Sequence, residues 1–299
     1  MEFPLDLRQS DAWGEYLKFL GWDIFSTSAG VNFATMQSKF GNVVKVQRPA
    51  KLLEEDLKEI EKKALEINSA LIKVEPSLKQ DLDVLRNHGY IKNKSPLCPS
   101  ATLFIDLTKP EDTLEKSLSR SCKYSIRRAR REGVEIEFHR KPSGEILESF
   151  YKIHKSTGRQ KKFYTQSFDD VSKKVEVFGD NAILGVAFSD GTITGANLFL
   201  GFGEAAWYIH GGTTPEGRKN KNGYELCWKS ILYLKGLGFK WLDLEGVDDK
   251  RFPNFTRNWG GLSHFKEKFG GIRVEFPSPY VKLINPWLKR LSKFIDLPI

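Results

Sequence analysis

One order of elements runs through this chain twice, and that repetition limits its fold more than any other feature. Near the start, Ser10 can cap a helix whose apolar side is Trp13, Tyr16, Leu17 and Leu20, with Gly21 as the stop. The extended runs WDIF, VNFATMQ and NVVKVQ follow, the last after a Gly41-Asn42 turn. After a break at RPA comes a helix with Leu57, Ile60, Ala64 and Ile67 on one face. The run ALIKVEP reads as a buried strand, and LKQDLDVLRNHG as another helix. In the second half, Ser143 starts a helix with Ile146, Phe150 and Ile153 inward. NAILGVAF, TITGANLFLGF and EAAWYIHGG form an antiparallel meander, with Asp190-Gly191 as its first hairpin turn. A loop rich in glycine and lysine, residues 211 to 223, leads to a helix carrying Leu226, Trp228, Ile231 and Leu234, and then to the strand KWLDLEG. Helix, meander, loop, helix, strand, twice over, predicts an internally duplicated α/β protein, although the halves share no detectable sequence identity.

Between the halves lies TKPEDTLEKSLSRSCKYSIRRARREGV. Thr108 and Glu111 suit a capping box, Pro110 fits the first turn, and Gly133 ends the helix. Leu114, Leu118, Cys122, Ile126 and Ala129 line its dry side, while Arg120, Lys123, Arg127, Arg130 and Arg131 fall opposite. Residues 120 to 131 hold six basic residues and no acid, so repulsion has no local remedy. A solvated face is the ordinary use of such a run. A polyanion that releases counterions or pairs its phosphates with arginine is the sharper one. The whole chain agrees in sign: 47 basic against 38 acidic residues give +9, and a polyanionic partner is favoured without being chosen.

The remaining signals are mostly exclusions. The N-terminus lacks a basic start followed by an apolar core, and no apolar stretch approaches the ~18 residues that span a bilayer, so a cytosolic protein is expected. Three scattered cysteines, Cys98, Cys122 and Cys227, suggest reduced thiols and no disulfide or zinc framework. No HExxH, GxSxG or spaced cysteine–histidine pairing is present, and the five histidines are isolated in sequence, as core or surface residues usually are. The loop at 211 to 223 has the makings of a phosphate cradle before a helix N-terminus, yet Lys221 stands where a glycine would let a pyrophosphate approach. Glu75 ends a strand, a place for a site carboxylate or equally for a loop cap. Finally, LSHFKEKFGG holds Lys266 between Phe265 and Phe269, just past the last core strand. It is either an amphipathic turn with its lysines in water, or a cation fixed by aromatic anchors in a groove at the sheet's end.

The segments LRQSDAWGEYLKFLGW, IKVEP, ATLFIDLTKPEDTL, KYSIRRARREGV, HKSTGRQKKFY, ANLFLGFGEAAWYIHGG, KWLDLEGV and GGLSHFKEKFGG resemble, in order and over nearly the whole chain, the FemABX family of peptidoglycan-bridge aminoacyltransferases. The resemblance implies an α/β (α+β) fold of two tandem acetyltransferase-like (GNAT) domains, without the inserted coiled-coil arm of some members. Expected boundaries are 1–108 for the first domain, 109–275 for the second and 276–299 for a tail packed on the first. It implies transfer of an amino acid from aminoacyl-tRNA to the stem-peptide amine of a UDP-linked or lipid-linked muramyl peptide. Carried over by position, the transfer-site Phe-Lys falls on Phe265 and Lys266, and the acid of the Asp/Glu-Pro pair on Glu75. Substrate-binding positions fall on Arg159, Phe163, Tyr208 and Lys18.

That chemistry suits these residues. An aminoacyl ester is already activated, so aminoacyl-tRNA is a co-substrate and no cofactor or metal is expected. A desolvated Lys266 would stabilise the oxyanion, with the cationic stripe for tRNA phosphates. The open alternatives are a CoA-dependent N-acyltransferase on the same fold and a non-catalytic RNA-binding module. A monomer is expected. The tail from Pro286 reads as a basic amphipathic helix, with Trp287, Leu288, Leu291, Phe294 and Ile295 on one side and Lys289, Arg290 and Lys293 opposite. It suits packing on the first domain, or a weak contact with the inner leaflet of the membrane.

Overall fold

Two β-sheets organise the chain, and the computed structural model describes residues 3–38 and 41–291 of it. One unit takes residues 5–100 with 249–255 and the chain from 275; the other takes 101–248 and 256–274 with the segment up to Pro4.

In the first unit Ser10 caps α1 (Asp11–Phe19), its hydroxyl accepting the Trp13 N–H at 3.1 Å. Strands β1 (Asp23–Ser26), β2 (Asn32–Ser38) and β3 (Gly41–Gln47) run antiparallel. Helix α2 (Glu54–Glu66) buries Leu57, Ile60 and Ala64, and returns the chain so that β4 (Ser69–Glu75) lies parallel to β3. Covered on both faces, β4 is buried along its length, as a central strand with a parallel neighbour should be. After α3 (Leu82–Asn87) and β5 (Ile91–Lys92), the sheet is completed by a much later strand, Tyr280–Leu283, lying antiparallel between β4 and β5.

The second unit begins with β6 (Ala101–Asp106), which pairs with the core strand Trp241–Asp243. The division therefore falls before β6, eight residues short of the expected one at 108/109. Next come α4 (Glu111–Ser117) and α5 (Arg120–Arg131), where a single helix was expected. Leu118 is extended, and Ser119 restarts the helix by accepting the Cys122 N–H at 3.1 Å. The Thr108 hydroxyl is spent on Asp106 at 2.6 Å, so the expected capping box does not form. The break has a tertiary cause, since the Ser119 N–H donates to the Lys268 carbonyl at 3.0 Å. The apolar row nevertheless lands inside: Leu114, Leu118, Cys122, Ile126 and Ala129 are all buried.

Strand β7 (Glu135–Arg140) leads to α6 (Gly144–Lys161), which turns Leu147, Phe150, His154 and Gly158 inward in place of Ile146 and Ile153. After α7 (Phe168–Phe178) the meander follows as β8 (Ala182–Ser189), β9 (Thr192–Phe202) and β10 (Ala205–Thr213), with both residues of the Asp190-Gly191 turn at positive φ. Then come α8 (Pro215–Lys219), α9 (Asn222–Gly236), β11 (Trp241–Asp243), α10 (Gly260–Glu267) and β12 (Ile272–Glu275). The strand order is β12-β6-β11-β10-β9-β8-β7. The late strand of the first unit is β13, followed by α11 (Pro286–Leu291). Leu288 packs against a cluster of Leu71, Val281 and Leu283; Lys293, Phe294 and Ile295 of the expected tail helix lie outside the described residues. Among the described residues, no helix is long and apolar enough to cross a membrane.

Candidate functional site

The site arises where two strands part. Strand β10 runs parallel to β11 only over Ala205–Trp207 against Trp241–Asp243. Beyond that, β10 stays with β9 through a bulge between Tyr208 and His210. The chain after β11 follows β6 instead, the Leu244 N–H donating to Leu103 and the Val247 N–H to Ala101 at 2.9 and 3.0 Å. The main chain then takes two left-handed residues in succession, Glu245 (φ 49°) and Gly246 (φ 47°). The Glu245 N–H is tied back to the Asp243 carboxylate at 2.7 Å. A side chain at 246 would be strained by φ and would come within 2.8 Å of the Trp259 ring, so glycine is required there.

The Lys266 ammonium comes into this opening from α10. It donates to the carbonyls of Glu245 and of Gly246, the latter at 2.9 Å, and lies 5.6 Å from the centroid of the Tyr208 ring. Lys266 is 4 % exposed, and burial brings its pKa down to about 8, partly offset by the acidic Glu245 and Asp243 and by Cys227. An ammonium has three N–H donors, and two carbonyls occupy two of them. Among the described residues no third acceptor is hydrogen-bonded to it. Phe265 and Phe269 do not hold the charge. They pack with each other and with Tyr224 at centroid distances of 5.0–6.0 Å and fix the turn from which Lys266 departs. Tyr208 gives its hydroxyl proton to Asn197 Oδ1 at 2.7 Å, and burial raises its pKa, so it is a neutral, oriented ring beneath the cation.

Arg159 and Phe163 flank the point where the end of α6 is tied to the loop of Asn258 and Trp259, a link no local motif announced. Asn258 donates to the Lys162 carbonyl at 2.7 Å, and the next residue is Trp259, whose ring covers Gly246. The end of α6 is thereby linked to the loop that holds Lys266. Arg159 is exposed there, and Phe163 packs 6.0 Å from His154. The histidines are not all isolated: His154 and His210 lie 4.8 Å apart, centroid to centroid. His154 Nδ1 is 3.0 Å from the Gly211 carbonyl, an acceptor, which places the proton on Nδ1. Burial, with Lys174 nearby, keeps both imidazoles below their usual pKa.

Glu75 and Lys18 belong to the other unit. Glu75 is buried at the end of β4 and accepts the Leu97 N–H at 2.6 Å; burial lifts its pKa to about 7. Lys18 lies on the exposed side of α1, paired with Glu15 at 2.7 Å.

The cationic stripe is partly neutralised. Arg130 pairs with buried Glu225 of α9 at 2.9 Å, whereas Arg120, Lys123, Arg127 and Arg131 have no acidic partner among the described residues. The loop at 211 to 223 is no open cradle. It folds into α8, capped by Thr214, and Gly217 sits so close to Thr194 that a Cβ would be 2.3 Å from its carbonyl oxygen. Arg218 is turned inward onto the Thr213 carbonyl and Gln160.

The model of the FemAB family matches residues 86–192 and 189–296. A crystal structure of FemX superimposes with a TM-score of 0.80 at 17 % identity, covering 96 % of this chain and 94 % of that one. L-PGS from Bacillus licheniformis gives 0.63 at 15 % identity, covering 96 % and 95 %. A tandem GNAT protein from the clavulanic acid biosynthesis pathway gives 0.54 at 10 % identity, covering 85 % and 79 %. No curated protein sequence matches significantly. The fold is thus a pair of GNAT-like domains.

Proposed function

The chain belongs to the FemAB family, the peptidoglycan-bridge aminoacyltransferases, and from that premise we propose that it moves an amino acid from aminoacyl-tRNA to the stem-peptide amine of a UDP-linked or lipid-linked muramyl peptide. The observation that supports this reading most is the Lys266 ammonium, desolvated, held by two carbonyls and left with one N–H to give. In the reaction the amine nitrogen attacks the ester carbonyl, and the electron pair of the C=O bond moves onto oxygen. Lys266 donates to that oxyanion, where a charge out of water acts most strongly. Collapse re-forms the carbonyl and breaks the ester C–O bond. The ribose oxygen of the tRNA leaves and takes up a proton, and the amine nitrogen loses one as the amide forms. Arg159 and Phe163, at the end of α6, would hold the acceptor, with Tyr208 as the floor beneath the cation. The protein would work in the cytoplasm, where both substrates are made.

The runner-up, a CoA-dependent N-acyltransferase, loses support from the loop at 211 to 223. Its helix α8 is closed against β9 and its Arg218 is engaged within the protein, leaving no cradle for a pyrophosphate. The deciding experiment incubates purified precursor with total charged tRNA, with and without RNase. Transfer abolished by RNase supports the reading. Transfer from acetyl-CoA that survives RNase overturns it in favour of the runner-up.

A further inference from the structure

The outer face of α5 carries a feature that charge alone does not explain. Tyr124 is 54 % exposed, one of the most exposed large aromatic residues of the protein. At 100° per residue, Arg120, Lys123, Tyr124, Arg127 and Arg131 fall within an arc of about 100°, with Lys123 at one edge and Tyr124 at the other, about 20° from Arg131. Arg120 is one turn before the tyrosine and Arg127 one turn after it. The opposite row, Cys122, Ser125, Ile126 and Ala129, is buried, so the helix is anchored with this arc outward. Arg130, the stripe residue tied to an acid among the described residues, pairs with Glu225, lies at the margin of the arc and braces α5 on α9. A rigid phenol ring thus stands at the edge of a row of four cations, with Arg120 and Arg127 a turn to either side along the helix, and the four have no acidic partner among the described residues.

We propose that this face of α5 is a platform for single-stranded RNA, on which an unpaired base stacks on Tyr124 while the arginines hold the flanking phosphates. Every base offers a π-face, so a lone aromatic ring between phosphate-binding groups suits an unpaired strand and is of little use to a duplex, whose bases are already stacked. The placement gives a direction. The N-terminal end of α5 is fastened to the carbonyl of Lys268, two residues beyond Lys266, so a strand lying on the arc is led at that end toward the Lys266 turn. The partner rests on the tRNA-dependent reading above: the unpaired 3′ end of a tRNA is the single strand that has to arrive there. An anionic membrane is the poorer fit, because the apolar row of α5 faces inward and the arc offers one ring and no aliphatic side chain for insertion.

The test uses the full chain and fluorescence anisotropy, with a labelled single-stranded RNA oligonucleotide and the same sequence as a duplex. The single strand is expected to bind more tightly than the duplex. Tyr124→Ala should weaken the single strand by about 5- to 100-fold, the range for losing one stacked base, and leave the duplex nearly unchanged. Tyr124→Trp should retain or tighten binding. Arg127→Ala should weaken both probes and make the salt slope shallower by about one phosphate's worth. Equal binding of the single strand by wild type and Tyr124→Ala overturns the proposal, as does a preference for the duplex, or α5-dependent binding to anionic vesicles with none to RNA. The transfer assay is run on the same proteins. If Tyr124→Ala weakens the oligonucleotide but transfer ignores RNase, the platform stands and the aminoacyl-tRNA reading falls. If transfer needs tRNA and Tyr124→Ala is unaffected in both assays, the platform falls alone.

Discussion

Replacing Lys266 with Met keeps most of the stem and deletes the charge, and the structure says how much that should matter. In the wild type the ammonium is 4 % exposed and two of its three protons are committed to the carbonyls of Glu245 and Gly246. Removing a single preorganised oxyanion donor from a dry site lowers kcat by about 10²–10³-fold, or roughly 3–4 kcal/mol. Rates should fall by that amount while KM for the precursor changes little, because the donor acts on charge that appears only in the transition state. Protonation supplies a second signature. With a pKa near 8, the ammonium is lost as pH rises through 8, so wild-type kcat should decline there and the variant should lack that limb. Stability follows the same group with its own sign. The folded pKa lies below the ordinary 10.5, so the unfolded chain binds more protons between about 8 and 10.5. Wild-type stability therefore gains over that window by about 3 kcal/mol relative to Lys266→Met. Single-turnover kinetics from pH 6.5 to 9.5 and denaturant titrations up to pH 10.5 measure both. Turnover in the variant within about threefold of wild type, or an alkaline limb that survives the substitution, would refute the role given to Lys266.

Glu75→Gln should remove a pH dependence of stability. The wild-type carboxyl has a folded pKa of about 7 against 4.5, so its contribution is full below pH 4.5 and is lost as pH rises through 7, a relative change of about 3 kcal/mol in denaturant midpoints converted to free energy. Gly246→Ala should destabilise by about 1–3 kcal/mol and slow transfer, because φ is 47° and the new methyl would meet the Trp259 ring; a thermal-shift measurement showing no loss would count against the described loop. Truncation after Pro279 deletes β13, whose Tyr280, Val281 and Leu283 are buried, and should unfold the first unit by circular dichroism. Truncation after Leu291 keeps that strand. Co-sedimentation of this shorter form and of the full chain with anionic liposomes at low and high salt tests the tail; equal behaviour of the two ends the membrane idea.

What could be read from the sequence, and what could not, follows from how local each signal is. Ser10 capping α1, the α2 face of Leu57, Ile60 and Ala64, and the Asp190-Gly191 turn depend on neighbours a few residues away, and the structure has them all. The break at Leu118-Ser119 was invisible because its cause is the carbonyl of Lys268, some 150 residues on in sequence. The inward face of α6 was misplaced for a related reason. Its apolar periodicity favours Ile146 and Ile153, but the surface it packs on includes Gly211, whose carbonyl meets the imidazole of His154. A polar residue holds a core position there, and periodicity counts it on the wrong side. Lys266 was marked by its flanking phenylalanines, yet the groups that hold it, the carbonyls of Glu245 and Gly246, leave no trace in residue type beyond one glycine.

That one glycine shows why this arrangement calls for lysine. Once β11 follows β6 and β10 follows β9, the main chain after Asp243 must turn two peptide units away from any strand partner. Buried carbonyls without donors are expensive, and the site answers with a donor from another element. A guanidinium holds its N–H groups in one plane, a fixed fork suited to a flat carboxylate or phosphate. The ammonium is a compact point charge whose three protons diverge from one atom. It satisfies the parted chain with two and keeps the third at the point where the sheet opens. The defect in strand pairing and the proposed electrophile are therefore a single structural event, and a substitution that repaired the pairing between β10 and β11 should remove the proposed site along with the gap.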